Sequence, residues 1–295
     1  MEIKKSKSRL LFEIINVIML CMLVIVTLYP VWYILAASFS DSNLLMRNGG
    51  NPLLYPLGFS WGAYQKAFSN RSIVTGYANT LFVLAAGVAV SMALSSLGAY
   101  FLSRKNVKLK KPITFLIMFT MWFSGGLIPF YMAVRDIGLV GSLWSLIIPT
   151  AINTYNMIII RTAFDSIPES LEESAYLDGA GHITVLIGIM LPLSKATIAV
   201  VALYYGVSYW NAWFNASIFL QGDTSKWPLQ LVLRQILISN DTGSMAQGSG
   251  MGDLEQIGES IKYAVIVIAT APILCVYPFV QKHFAQGVMI GAVKG

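Results

Sequence analysis

The chain has 295 residues, 56% of them hydrophobic and only 12% charged, with a net charge of +6. Its mean hydropathy of +0.66 and its repeated apolar runs of membrane-spanning length weigh against a soluble globular domain and place it among integral membrane proteins. Strand alternation over about ten residues, the mark of an outer-membrane barrel, does not recur, so the expected fold class is all-α.

A bilayer core needs roughly 20 mostly apolar residues per helix. Six stretches meet that length: residues 12–38, 77–102, 113–134, 143–163, 194–220 and 262–282. The amino terminus, with Lys4, Lys5, Lys7 and Arg9 ahead of an apolar run, resembles a signal peptide, and Ala36-Ala37-Ser38 imitates a cleavage site. A signal peptide has an apolar region of only about 7–15 residues. Here it continues from Leu10 past Trp32, which predicts an uncleaved first helix. Cys21 and Cys275 fall inside predicted spans, where a cysteine behaves as a small apolar residue, and no disulfide framework or metal cluster follows.

With six spans both termini share one side. That side carries Lys4, Lys5, Lys7, Arg9, then Arg104, Lys105, Lys108, Lys110 and Lys111, then Arg161, Lys195, Lys282 and Lys294. The opposite side has Arg47, Lys66, Arg71, Arg135, Lys226, Arg234 and Lys262, spread over longer loops. The excess of cations predicts that both termini are cytoplasmic, and topology alone explains the basic loop "SRKNVKLKK" without a nucleic-acid partner. Two long outer loops, 41–76 and 221–261, are rich in Gly, Ser, Asn and Pro in places, and Gly248-Ser249-Gly250 fits a flexible connector.

Against this background the segment 165–192 is anomalous. Asp165, Glu169, Glu172, Glu173 and Asp178 crowd into a cytoplasmic loop of a basic protein. Ser166 with Glu169 has the spacing of a capping box, Pro168 suits a first turn, and the acids complement the positive end of the helix dipole. A helix is expected over 167–177, stopped at Asp178-Gly179 by a glycine in the left-handed conformation. A second apolar segment, 182–191, is too short to span, and Pro192 separates it from the fifth span.

Glu173-Ser174-Ala175, then Gly179, then Ile189, Leu191 and Pro192, resemble the EAA loop of the membrane subunits of binding-protein-dependent ABC importers. Ser174 stands where that family usually has Ala, a departure small enough to keep the packing. The ending "GVMIGAVKG" is similar to the tail of maltose-type sugar permeases. "WPLQLVLRQIL" and "YPFVQKHF" resemble the subgroup that serves lipoprotein-anchored oligosaccharide-binding proteins. The resemblance implies a type I ABC importer permease fold with a cytoplasmic coupling loop. It also implies a second homologous permease, two ATPase subunits holding ATP and Mg, and an extracytoplasmic, lipid-anchored sugar-binding protein. Glu172, Glu173, Ser174, Ala175, Asp178, Gly179 and Ala180 would then form the ATPase-coupling element, with Glu173 paired to a basic residue of the ATPase. Gly291, Lys294 and Gly295 would reach the interface between the two ATPases, the alternative being a frayed end.

The chain lacks a G-x-x-x-x-G-K-[ST] loop, so ATP hydrolysis is assigned to a partner and no cofactor to this chain. His182 and His283 both fall near the cytoplasmic face and read as interfacial residues. For the transport path the candidates are Asn153 and Asn156 in the fourth span and Tyr209, Trp210, Asn211, Trp213 and Asn215 in the fifth. Polar groups at membrane depth normally face the bundle interior, and amides with aromatics suit sugar hydroxyls and ring faces. The same residues can also be helix-packing glue or an interfacial belt. The sequence also leaves an ion-coupled secondary transporter as an alternative, although no predicted span carries an acid near its middle.

Overall fold

The computed structural model describes residues 7–105, 107–238 and 260–275. These residues are helical, with one isolated bridge between Ser40 and Phe59 and no strand among the described residues. The chain divides into two compact units, residues 1–70 with 235–270 and residues 71–234 with 271–295.

The first unit is led by the 32-residue helix Lys7–Ser38, which at 1.5 Å per residue exceeds the roughly 30 Å of a bilayer core. Most of its side chains between Leu10 and Val26 are exposed, an apolar surface all the way round the helix. The predicted outer loop 41–76 is partly helical. Asp41 accepts hydrogen bonds from the backbone N–H groups of Asn43 and Leu44 and so starts the helix Ser42–Arg47; Gly62–Ser69 follows. Phe39, Phe59, Trp61 and Tyr64 form an aromatic knot after the first helix, and Ser38 shares a 2.8 Å hydrogen bond with Tyr64.

The second unit is organised by the 33-residue helix Arg71–Ser103, which begins six residues before the predicted second span. Gly76, Thr80, Gly87, Ser91, Ser95 and Ala99 lie on one buried face, spaced by four or seven residues. Small residues let neighbouring elements approach closely. A Cβ at Gly87 would stand 2.7 Å from the Tyr209 ring, and Ser91 and Ser95 meet the hydroxyls of Tyr209 and Tyr205 at 2.8 and 2.6 Å.

Three predicted spans are interrupted rather than continuous. The span 113–134 is two ten-residue helices, Lys110–Phe119 and Leu127–Asp136, because the chain turns through Gly126 at φ +89. The span 143–163 is split into the 3₁₀ turns Leu143–Leu146 and Ile148–Thr150 and the helix Thr154–Asp165, bent by 49°. Pro149 cannot donate a helical hydrogen bond, and Asn153 starts the next helix by accepting from the Asn156 N–H at 3.1 Å. The span 194–220 stops at Trp210 and resumes at Trp213–Phe219. At the break the Asn211 side-chain amide donates to the Val207 carbonyl, the kind of local bond that competes with continued helix.

Among the described residues, two helices are thus long and apolar enough to cross a membrane, or up to four if each bent pair is one span. The predicted outer loop 221–261 contains the helix Leu229–Ile238, whose first N–H donates to Thr80 Oγ1. Of the predicted sixth span, the helix Ser260–Cys275 is described. The remainder of that span, the tail with Gly291, Lys294 and Gly295, His283, and Gly248-Ser249-Gly250 lie outside the described residues.

Candidate functional site: an acidic helix and an amide-lined cavity

The acidic segment folds as the helix Glu169–Leu177, two residues shorter at its start than predicted. The residue before a proline is pushed away from helical conformation, so Ile167 cannot begin the helix and Pro168 becomes its cap residue, at ψ 132. The expected capping box does not form. Ser166 Oγ instead donates to the Ala163 carbonyl, closing the preceding helix, and Glu169 pairs with Lys105. Glu169 and Glu172 sit in the first turn, where the dipole favours negative charge.

The two central glutamates point to different environments. Glu172 is buried and forms an ion pair with Arg104, whose guanidinium also donates to Ser103 Oγ and lies 4.5 Å from the centre of the Tyr100 ring. Glu173 is exposed, as are Ser174 and Asp178. The hydrogen bond and ion pair with Glu169, reinforced by the charge of Glu173, hold the pKa of Lys105 above its ordinary value.

The carboxyl end closes as the sequence indicates. Gly179 has φ +83, its N–H donates to the Tyr176 carbonyl, and the Ala180 N–H reaches the Ala175 carbonyl at 2.9 Å. These are the two bonds of a Schellman motif, and Ala175 and Ala180 pack against the main apolar core. Tyr176 and His182 Nδ1 lie 2.9 Å apart, and the Tyr176 hydroxyl is 2.9 Å from that of Tyr100. The second segment runs further than predicted, through a π turn at Leu186–Met190 to Leu193, and bends by 89° at Ser194. The Leu191 N–H reaches back five residues to Leu186, a wide turn just where the Pro192 ring would press on the preceding carbonyl.

The breaks at 149–153 and 211–212 frame a cavity of about 770 Å³, within the usual range for ligand pockets. Asn153, Asn156, Tyr209, Asn211 and Asn215, five of the seven predicted path residues, line it. Trp210 and Trp213 do not: Trp210 is buried edge-on against Tyr77, and Trp213 carries the Arg234 guanidinium 4.4 Å from its ring centre. Sequence reasoning missed Tyr155, Tyr204, Tyr205 and Ser208. The signal was present, because 204, 208, 211 and 215 are spaced four, three and four apart. No charged side chain is among the described residues that line the cavity. Tyr205 joins it to the long helix: its hydroxyl accepts from the Asn153 N–H at 2.9 Å and bonds to Ser95.

Residues 91–290 match the family described as the binding-protein-dependent transport system inner membrane component. The chain belongs to this family. The permease is 45% identical over 292 residues, 98% of its length and 100% of the relative's, to the polygalacturonan/rhamnogalacturonan transport system permease protein YtcP of Bacillus subtilis (strain 168). Protein LplC of the same organism is 41% identical over 98% of this chain and 97% of its own. A solved bacterial ABC transporter involved in the import of the acidic polysaccharide alginate contains a chain that superposes with TM-score 0.87 at 33% identity, covering 95% of the permease and 99% of that chain. The permease is therefore a membrane component of a binding-protein-dependent importer, and its break-rich spans belong to a transport fold rather than to an enzyme.

Proposed function

We propose that the permease forms half of the membrane channel of a carbohydrate ABC importer, with six spans and both termini in the cytoplasm. Its partners in this reading are a second homologous permease, two ATPase subunits that bind ATP and Mg, and a lipid-anchored extracytoplasmic sugar-binding protein. The cargo is an oligosaccharide, by analogy with relatives named for polygalacturonan/rhamnogalacturonan and alginate.

The observation that carries this reading is the cavity itself. Four asparagines and four tyrosines converge on one space without a fixed charge among its described lining. Amides offer both donors and acceptors to sugar hydroxyls, and aromatic faces accept apolar ring surfaces. Such contacts replace part of the sugar's hydration without desolvating a buried ion. Glu173, exposed on a helix whose other acids are tied to the permease's own cations, is assigned to the ATPase. Glu172, Ser174, Ala175, Asp178, Gly179 and Ala180 shape the surface it sits on.

The test is uptake of labelled oligosaccharides by cells lacking the gene. Loss of uptake of one oligosaccharide class, restored by the wild-type chain, supports the proposal. Unchanged uptake across oligogalacturonides, alginate fragments and maltodextrins would overturn it.

A further inference from the structure

Two ion pairs fasten the acidic helix to the end of the long helix, and they are unlike. Lys105 and Glu169 are 73% and 53% exposed, an arrangement that contributes little. Arg104 and Glu172 are only 18% and 8% exposed, and removing one partner of such a pair strands the other charge. Tyr100, Tyr176 and His182 add a hydrogen-bonded contact at the same end.

Arg104 follows directly on the 33-residue helix Arg71–Ser103, which contains no proline. Nine residues back, about 13 Å along the axis at 1.5 Å per residue, Ser95 bonds to Tyr205, and one turn further Ser91 bonds to Tyr209. Both tyrosines line the cavity, and Tyr205 also holds the Asn153 N–H. Gly87 seats the Tyr209 ring against the same face. A single rigid element is thus pinned at one end to the acidic helix and along its side to the cavity wall.

We propose that Arg104, acting through Glu172, is the positioning residue that makes the cavity wall follow the acidic helix, so that movement of a docked ATPase is delivered to Tyr205 and Tyr209 along the helix Arg71–Ser103. This rests on the reading of Glu169–Leu177 as the ATPase-docking helix.

The experiment uses the complex of the permease with its membrane partner and ATPase, with Asn211→Cys placed in a Cys21→Ser, Cys275→Ser background. The reaction rate of that cysteine with a water-soluble thiol reagent is compared without nucleotide and with trapped ATP. A coupled cavity should show at least about a fivefold change, the lower end of ordinary allosteric coupling. In Arg104→Met/Glu172→Met the buried pair is replaced by apolar side chains, a change proteins often tolerate. The ATPase should remain in the complex while the rate change falls to less than about twofold. The exchanged pair, Arg104→Glu/Glu172→Arg, should recover at least half of the change. A rate change that persists in the methionine variant overturns the proposal. Loss of the ATPase from that variant, or loss of folded protein in both double variants, also overturns it by giving the pair a purely structural role. Retention of the ATPase by Glu173→Lys would instead defeat the docking assignment itself, a separate failure seen in a separate variant.

Discussion

The acidic helix and the cavity lie in the same unit of the molecule and are built in opposite ways. The helix Glu169–Leu177 is specified by neighbours in sequence: a proline that fixes its start, acids in its first turn, and a glycine that ends it. The cavity exists because helices fail to continue, at Pro149–Asn153 and at Asn211-Ala212, and its wall is assembled from residues far apart in the chain. In the proposed reading, the surface that meets another protein is regular, and the space that admits a solute is made where the backbone departs from regularity.

The largest expected effect falls on the regular region. Glu173→Lys reverses an exposed charge, so membrane insertion should be unchanged. Losing one partner of a charge pair at a partly desolvated interface costs on the order of 2–5 kcal/mol. The ATPase should therefore fail to co-purify with the tagged permease; its recovery at wild-type levels would remove the distinction between Glu172 and Glu173.

Gly87→Val attacks the packing that supports the cavity. Even the first carbon of a side chain would overlap the Tyr209 ring at 2.7 Å. Overpacking of this kind costs about 1–3 kcal/mol. Thermal unfolding in detergent should show a lowered midpoint, and Gly87→Ala should show a smaller shift in the same direction. Gly179→Val tests the end of the acidic helix in isolation from packing, because beyond the adjoining residues nothing lies within 4 Å of the added carbon. Its cost is that of forcing a branched residue to φ +83, about 1–2 kcal/mol. Coupled ATP hydrolysis should fall in that variant while the cavity variants leave the helix intact.

Asn211→Leu should have the smallest effect on the fold and a selective one on transport. Asn211 is exposed to the cavity, and loss of one hydrogen bond to a solute is about 1 kcal/mol, or about fivefold in transport. Uptake should drop more than binding-protein-stimulated ATP hydrolysis. An equal fall in both, together with lower yield, would make this asparagine a packing residue and sharpen the boundary between wall and support.

How much of this was legible in the sequence follows the same division. The helix stop at Gly179 was readable because a stop and its glycine are local, and the bonds from Gly179 and Ala180 to Tyr176 and Ala175 realise it. The capping box at Ser166 was misread because two local preferences compete there, and the restriction that Pro168 places on Ile167 prevails over the side-chain cap. The cavity was half legible. The asparagines stood out as polar residues in apolar runs, whereas tyrosine and serine in an apolar helix read as packing residues, so Tyr204, Tyr205 and Ser208 were passed over although Tyr204 and Ser208 share a four-three-four spacing with Asn211 and Asn215. Arg104 was visible only as one of five cations in a basic loop. Its pairing with Glu172 depends on a contact across 68 positions that no local spacing encodes.

In the proposed reading, ATP hydrolysis outside the chain drives a sugar through the amide-lined cavity within it. Sealed vesicles bearing the complete complex, with the binding protein added outside and ATP enclosed, measure this directly. Labelled oligosaccharide should accumulate against its gradient when ATP is present, and should do so undiminished after ionophores collapse the proton and sodium gradients. Accumulation that is abolished by the ionophores and indifferent to ATP would contradict the account and identify an ion-coupled transporter instead.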